Sequence, residues 1–367
     1  MSTKTAVWLQ NIATTVPPTS YTQEFAHRFM RDLPMYGEKE QRFLDRIYRD
    51  TRIARRHSVI EDYGKDPSQY QFFARSATLL PEPSVAQRND LFVAAAEELS
   101  LRAAEQLFSA TDRVRAEDIT HLVTVTCTGF SAPGFDYQLV QRLPLRAGVH
   151  RYHIGFMGCF AGFPALKLAH TICSADPGAR VLIVDVELCT LHFQFKPEPD
   201  TMVANALFAD GAAAAVVSCT PPDGPAYRLN GFSSRIVPES DQAMSWRLGD
   251  VAFDMKLSTY VPKLLHRDIA AIVHDTMQAV GLRREDVRLW AVHPGGRAIL
   301  DRIADALELS EEELQFSYAT LHDYGNMSSA TIFFLLQRML QDAATGPVFA
   351  AAFGPGLTVE SACLERV

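Results

Sequence analysis

Three residues far apart in this chain have side chains that together could make and break thioester and carbon–carbon bonds. Cys159 stands in the apolar run GFMGCFAGFPALKLAH, His293 closes RLWAVH and opens HPGGRAIL, and Asn326 lies in YGNMSSAT. A thiol that carries an acyl group needs a base or a charge partner, and an enolate or oxyanion needs hydrogen-bond donors beside it. A cysteine, a histidine and an asparagine supply that set.

Each of these side chains must be delivered by an element. From Phe160 to Ala169 the only charged residue is Lys167, so a helix there is buried on nearly all sides. A helix beginning at Gly158 points its free N–H groups at the thiol, which predicts a lowered pKa and a thiolate. His293 ends a strand-like run and is followed by Pro294, Gly295 and Gly296 before the next helical pattern. In covered α/β sheets, ligands gather at the carboxyl ends of strands. HExxH and HxxxH spacings are absent around His293, so no metal site is expected. Asn326 follows Gly325 in a turn, with Ser328 placed to cap the apolar helix SATIFFLLQRML. Cys173, Cys219 and Cys363, and His57, His121, His153, His170, His266, His274 and His322, read as core or surface residues.

A chain of 367 residues with 47% hydrophobic content exceeds the size at which one core stops growing. The runs 121 to 127, 180 to 187, 212 to 217, 288 to 293 and 347 to 353 are apolar on both faces, as strands buried between helix layers are. Helical patterns fall near 91 to 109, 136 to 143, 160 to 173, 260 to 280, 297 to 307 and 329 to 342, and residues 20 to 90 read as helices and loops packed on the core. The fold class is α/β. PPDGPAY (221 to 227) is the clearest linker, dividing the chain into halves 1–222 and 223–367. The net charge of −8 implies no general affinity for nucleic acid or membrane surfaces. Six cysteines without a CxxC pair suggest reduced thiols and a cytoplasmic location, and no apolar run has the length to span a bilayer.

The strings GFMGCFAG, ELCTLHFQ, NALFADGAAA, WRLGDVAFDMKLS, HPGGRAIL, YGNMSSAT and FGPGLTVE occur in the order and spacing of the type III polyketide synthases, the chalcone synthase-like branch of the thiolase superfamily. The chain resembles that family from about residue 5 onward, and is most similar to bacterial members that make alkylpyrones. The resemblance implies a thiolase-like αβαβα layered fold with two similar halves, a homodimer, and acyl-CoA and malonyl-CoA as substrates, with no cofactor. It implies that Cys159 takes the starter acyl group and that His293 and Asn326 hold the malonyl thioester carbonyl during decarboxylation. Phe208 corresponds to the family's gatekeeper between the CoA tunnel and the cavity. Cys127, Thr128, Glu187, Cys189, His192, Leu207, Trp246, Met255 and Ser328 correspond to residues that shape the cavity. Trp246 stands where plant chalcone-forming members have glycine, and Cys127 and His192 where they have threonine, which argues against a flavonoid product.

The segment RFLDRIYRDTRIARR (42 to 56) matches the one that holds the CoA phosphates, and there Arg42, Arg46 and Arg49 recur at helical spacing. The resemblance also implies that Gly295 and Gly296 bind CoA. The loop SAPGFD (131 to 136) matches one that reaches the partner's cavity, with Ala132 replacing a methionine. Two rival readings use the same residues. A ketoacyl synthase of the third class is expected to carry HQAN-like and GNTS strings where this chain has HPGG and GNMSS. A non-catalytic thiolase-fold acyl-CoA-binding protein is expected to have lost one of the three site residues, and all three are present. Starter length, number of extensions, and lactone versus aldol closure are not legible in the sequence.

Overall fold

The computed structural model describes residues 5–76, 78–110, 114–238, 240, 243–257 and 261–367. Its strands are β1 (Trp8–Thr15), β2 (Ser20–Thr22), β3 (Arg55–His57), β4 (His121–Thr126), β5 (His150–Gly155), β6 (Arg180–Leu188), β7 (Asp210–Ser218), β8 (Tyr227–Ile236), β9 (Met244–Leu248), β10 (Phe253–Leu257), β11 (Leu289–Val292), β12 (Gly346–Gly354) and β13 (Thr358–Arg366). Nine of them form one sheet in the order β11-β12-β13-β8-β1-β7-β6-β4-β5. β1 pairs antiparallel with β7, β7 antiparallel with β6, and β6 parallel with β4. β8 pairs antiparallel with β13, β13 antiparallel with β12, and β12 parallel with β11. The second run repeats the first, and the antiparallel pair β1–β8 joins them.

Because successive strand residues point to opposite faces, each apolar strand feeds two cores. On β6, Leu182, Val184 and Val186 pack into one core with the helix Val85–Ser109, whereas Val181 and Ile183 enter another. That second core gathers Phe163, Leu166 and Ala169 of the helix Gly162–Ala175, Phe333, Leu336 and Met339 of the helix Thr331–Leu340, and strand residues from both runs. On the far side, Trp290, Phe349 and Phe353 pack with Leu265 and Ile269 of the helix Val261–Ala279 and Leu300 of the helix Arg297–Leu307. The layers alternate helix, sheet, helix, sheet, helix, which is the thiolase-type α/β arrangement.

The five strand runs expected from sequence are β4, β6, β7, β11 and β12. Six helices occur where periodicity puts them, with shifted ends. Val85–Ser109 starts earlier than expected because Ser84 and Gln87 form a reciprocal capping box. Tyr260, at the expected start of the helix near 260 to 280, and Ser258 of the WRLGDVAFDMKLS run lie outside the described residues. The helices Gln23–Arg31, Glu38–Asp50, Pro199–Leu207 and Gln315–Tyr324 fall outside the individually expected patterns. Among the described residues, no helix is long and apolar enough to cross a membrane.

Candidate active site

Cys159 sits in a turn that Gly158 makes possible. Gly158 has φ +90°, and a Cβ on it would lie 2.2 Å from Cδ of Pro355. Ala161 N–H closes the turn onto Gly158 C=O at 2.9 Å, and the helix proper begins at Gly162. The helix start is thus three residues beyond the cysteine and not at Gly158. The thiol of Cys127, at the end of β4, accepts the Gly158 N–H at 2.8 Å and so fixes the backbone just before the half-buried Cys159.

His293 extends the parallel ladder beyond β11, its N–H donating to Ala351 C=O at 2.8 Å. The imidazole is fully buried, yet neither ring nitrogen has a hydrogen-bond partner. Buried polar groups are normally satisfied, so an orphaned ring points to a ligand group in its place. Beside it, Nδ2 of Asn326 donates to Gly295 C=O at 3.3 Å, while Oδ1 accepts the Ser328 N–H at 2.8 Å. The acceptor end of the amide is thereby occupied, and the Asn326 amide and the Ser328 hydroxyl both stand against the Cys159 sulfur. Phe208 is tied to Asn326 by backbone bonds: Asn326 N–H donates to Leu207 C=O and Ala209 N–H to Asn326 C=O, both at 2.9 Å. Cys159 and Phe208 line one cavity, the Asn326 amide stands against the Cys159 sulfur, and the Asn326–Gly295 bond ties Asn326 to the segment that carries His293.

Electrostatics at this site contradict the sequence-based expectation of a lowered thiol pKa. Burial pushes the Cys159 thiol up to about 12, with the Glu187 carboxyl adding to the rise and Ser328 and Asn326 opposing it. Burial likewise holds His293 down to about 3. With the helix start displaced, desolvation outweighs the N–H groups. Each group by itself is neutral at pH 7.

Cys127, Thr128, Cys189, Phe208, Trp246, Met255 and Ser328 line a cavity of about 30 Å³ around Cys159. Glu187 lies behind its wall, accepting Cys127 N–H at 2.9 Å and the Thr128 hydroxyl at 3.0 Å. Trp246 is pinned by its indole N–H to Cys127 C=O at 2.7 Å. His192 is pinned at both nitrogens, one to Thr128 C=O at 2.8 Å and one to Phe253 N–H at 3.1 Å, and stacks on Phe253 with centroids 4.0 Å apart. His192 is thus a neutral wall residue, consistent with burial holding it at about 3. Past this wall lies a second cavity of about 40 Å³ lined by Phe25, Ala26, Phe29, Met30, Tyr48 and Phe193, which shares Cys189, Phe208, Trp246 and Met255 with the first.

Leu207 does not line either inner cavity. It faces an outer groove of about 320 Å³ with Phe43, Ile47, Leu257, Gly295 and Gly296, at the N-terminus of the helix Arg297–Leu307. Arg46 lies over the ring of Phe43, one of the groove residues, 5.3 Å from its centroid. Arg42 is paired with Glu38 and Arg49 with Asp50, both exposed.

Sequence reasoning left Arg56 without a role. Its buried guanidinium donates to Asn205 C=O at 2.7 Å, to Phe208 C=O at 2.8 Å and to Oε1 of Gln23 at 2.9 Å, while Gln23 donates to Ala206 C=O at 2.7 Å. This clamp holds the end of the helix Pro199–Leu207 and with it Phe208. The ARR string was visible, but nothing in it distinguishes a buried arginine from solvated ones. Phe253 and Pro355 were likewise indistinguishable from ordinary packing residues.

Residues 2–221 match the family described as chalcone and stilbene synthases, N-terminal domain, and residues 228–367 match the corresponding C-terminal domain. PKS-I of the brown alga Ectocarpus siliculosus is similar in structure, with 29% identity, a TM-score of 0.92 and full coverage (100%) of both chains. The C-terminal type III polyketide synthase domain of Steely1 from Dictyostelium has 26% identity and a TM-score of 0.91, covering 99% of each chain. The 1,3,6,8-tetrahydroxynaphthalene synthase of Streptomyces coelicolor A3(2) has 27% identity and a TM-score of 0.87, with 98% of this chain and 99% of that one covered. This chain therefore belongs to the chalcone and stilbene synthase family, the type III polyketide synthases, which are condensing acyltransferases.

Gly158→Ala is expected to destabilise the fold by about 1–3 kcal/mol in urea unfolding, through the left-handed φ and the clash with Pro355. His293→Ala is expected to slow iodoacetamide alkylation of Cys159 at neutral pH at least about tenfold, because the thiol loses its proton acceptor. An unchanged alkylation rate removes His293 as that acceptor.

Proposed function

We propose that this synthase loads an acyl group from an acyl-CoA thioester onto Cys159, extends it by decarboxylative Claisen condensation with malonyl-CoA, and cyclises the chain to a pyrone or resorcinol-type product. The observation that carries the reading is the buried His293 imidazole with both nitrogens unpartnered, next to an asparagine amide that offers its donor end towards the thiol. A neutral imidazole presents one donor and one acceptor. As acceptor it takes the Cys159 proton while the sulfur attacks the starter thioester. As donor, with Asn326 Nδ2, it stabilises the enolate oxygen that develops when malonyl-CoA loses carbon dioxide. The enolate carbon attacks the acyl-enzyme, the Cys159 sulfur leaves, and the lengthened chain stays on CoA until it is reloaded.

The pantetheine arm fits the outer groove beside Leu207, Gly295 and Gly296, where a helix N-terminus suits phosphate and Arg46 stands over Phe43 of the same groove. A chain growing from Cys159 meets Trp246 and Met255, and the apolar space behind them, lined by Phe25, Phe29 and Met30, suits an alkyl tail. A homodimer is supported by β5, the edge strand of the sheet, which is exposed nearly throughout, and by the exposed Phe130, Tyr152, Phe156 and Met157 around it. Such an edge invites a second copy. Six free cysteines agree with a reducing cytoplasm.

Cys159→Ala is expected to abolish extractable product from radiolabelled malonyl-CoA and acyl-CoA starters while CoA still binds; undiminished turnover refutes the nucleophile. Trp246→Gly is expected to change product size by mass spectrometry, since it removes the ring that closes the cavity.

A further inference from the structure

Behind the thiol, two carboxyls share one hydroxyl. Asp185 and Glu187 stand two residues apart on β6, so they face the same way, and both are fully buried. Ser329 Oγ lies 3.0 Å from Asp185 Oδ1 and 2.5 Å from Glu187 Oε1. A hydroxyl carries one proton and cannot donate to both. Two ionised carboxylates would leave one of these contacts with no hydrogen between facing lone pairs, so at least one carboxyl must be protonated.

The remaining contacts say which. Glu187 Oε2 accepts the Cys127 N–H and the Thr128 hydroxyl, whereas Asp185 Oδ2 has no partner at all. A buried negative charge is tolerable where several donors converge and costly where none do. At rest, Asp185 is the acid and donates to Ser329, and Ser329 donates to an ionised Glu187. Burial raises both carboxyl pKa values, and Glu187 has the larger set of donors opposing the rise.

We propose that Asp185, Ser329 and Glu187 form a single-proton relay that moves negative charge away from Cys159 when its thiolate forms. Asp185 acts through Glu187 and is a positioning residue. As Cys159 gives its proton to His293, Glu187 takes the Ser329 hydroxyl proton and Ser329 takes the Asp185 carboxyl proton. No proton enters or leaves the pair, and one negative charge passes from Glu187 to Asp185, about 7 Å along the strand. Glu187 is the carboxylate that opposes Cys159 ionisation, so moving its charge to Asp185 favours the thiolate to the extent that the relief at the sulfur exceeds the cost of charging the less-donated Asp185. The other titratable groups facing the pair are the thiols of Cys127 at the end of β4, Cys159 on its turn and Cys189 beyond β6, with Asp210 of β7 next to Cys189.

The inference rests on Cys159 being the nucleophile, but its first test does not. Infrared spectroscopy of the full-length protein at about pH 9, above the value of about 7 to which burial raises Asp210, should retain the carbonyl stretch of a protonated carboxyl, and Asp185→Asn should remove it. Asp185→Asn keeps a donor towards Ser329 but holds its proton. The pH profile of Cys159 alkylation is then expected to move up by about one unit, roughly a tenfold slower reaction at pH 7. Absence of the carboxyl band in the unmodified protein overturns the relay without any variant having to fold. An alkylation profile identical to the parent's in folded Asp185→Asn, checked by circular dichroism, overturns the charge movement. Loss of the nucleophile reading would show separately, as turnover surviving in Cys159→Ala.

Discussion

The fold takes both the Cys159 thiol and the His293 imidazole out of water. Burial forces each to be neutral alone, and in the proposed mechanism ionisation is a property of the pair and of whatever donors surround it. That constraint explains the rest of the site. Asn326 commits its acceptor end to Ser328 so that its donor end stays available, and Ser328 stands against the sulfur. In a wet cleft the same side chains would exchange protons with solvent and the arrangement would have no purpose.

Meeting at one point requires the layered architecture. Cys159 leads into one central helix, Gly162–Ala175, and Asn326 and Ser328 lead into the other, Thr331–Leu340. These helices share one core between the two runs of the sheet, so their starts are held as rigidly as the sheet itself. His293 arrives from β11, whose ladder with β12 runs into the histidine's own N–H. Backbone bonds, not side-chain packing alone, then set the cavity wall: Cys127 holds Gly158, Trp246 holds Cys127, His192 is held by Thr128 and Phe253, and Arg56 holds Phe208. A wall built this way changes shape in steps when one residue is replaced, and chain length and cyclisation are sensitive to such steps.

Much of this was legible before any coordinates. Runs such as RVLIVDVE, apolar on both faces, are the sign of strands covered on both sides, and β6 is buried along nearly its whole length. The alternation of β12, by contrast, serves two cores at once, Ala350 facing one and Phe349 the other, which no periodicity scan separates. The edge strand β5 and strands β8 to β10 carry mixed polar and apolar residues and were not marked as strands, because their pairing comes from partners distant in sequence. Leu207 shows the same limit at the site: one residue from Phe208, it turns outward to the groove, a choice made by the helix end that Arg56 and Gln23 clamp.

By itself, the order of residues determined which functional groups exist: a nucleophilic sulfur on an apolar segment, an imidazole after a strand, a carboxamide in a glycine turn, and bulky residues where a wide cavity would need small ones. Only the folded chain decided their ionisation and their company. Whether a thiol is charged depends on the solvent removed around it and on charges brought from elsewhere. Glu187 and Asp185, joined by Ser329 from more than a hundred residues away, acquire their proton count from that meeting alone.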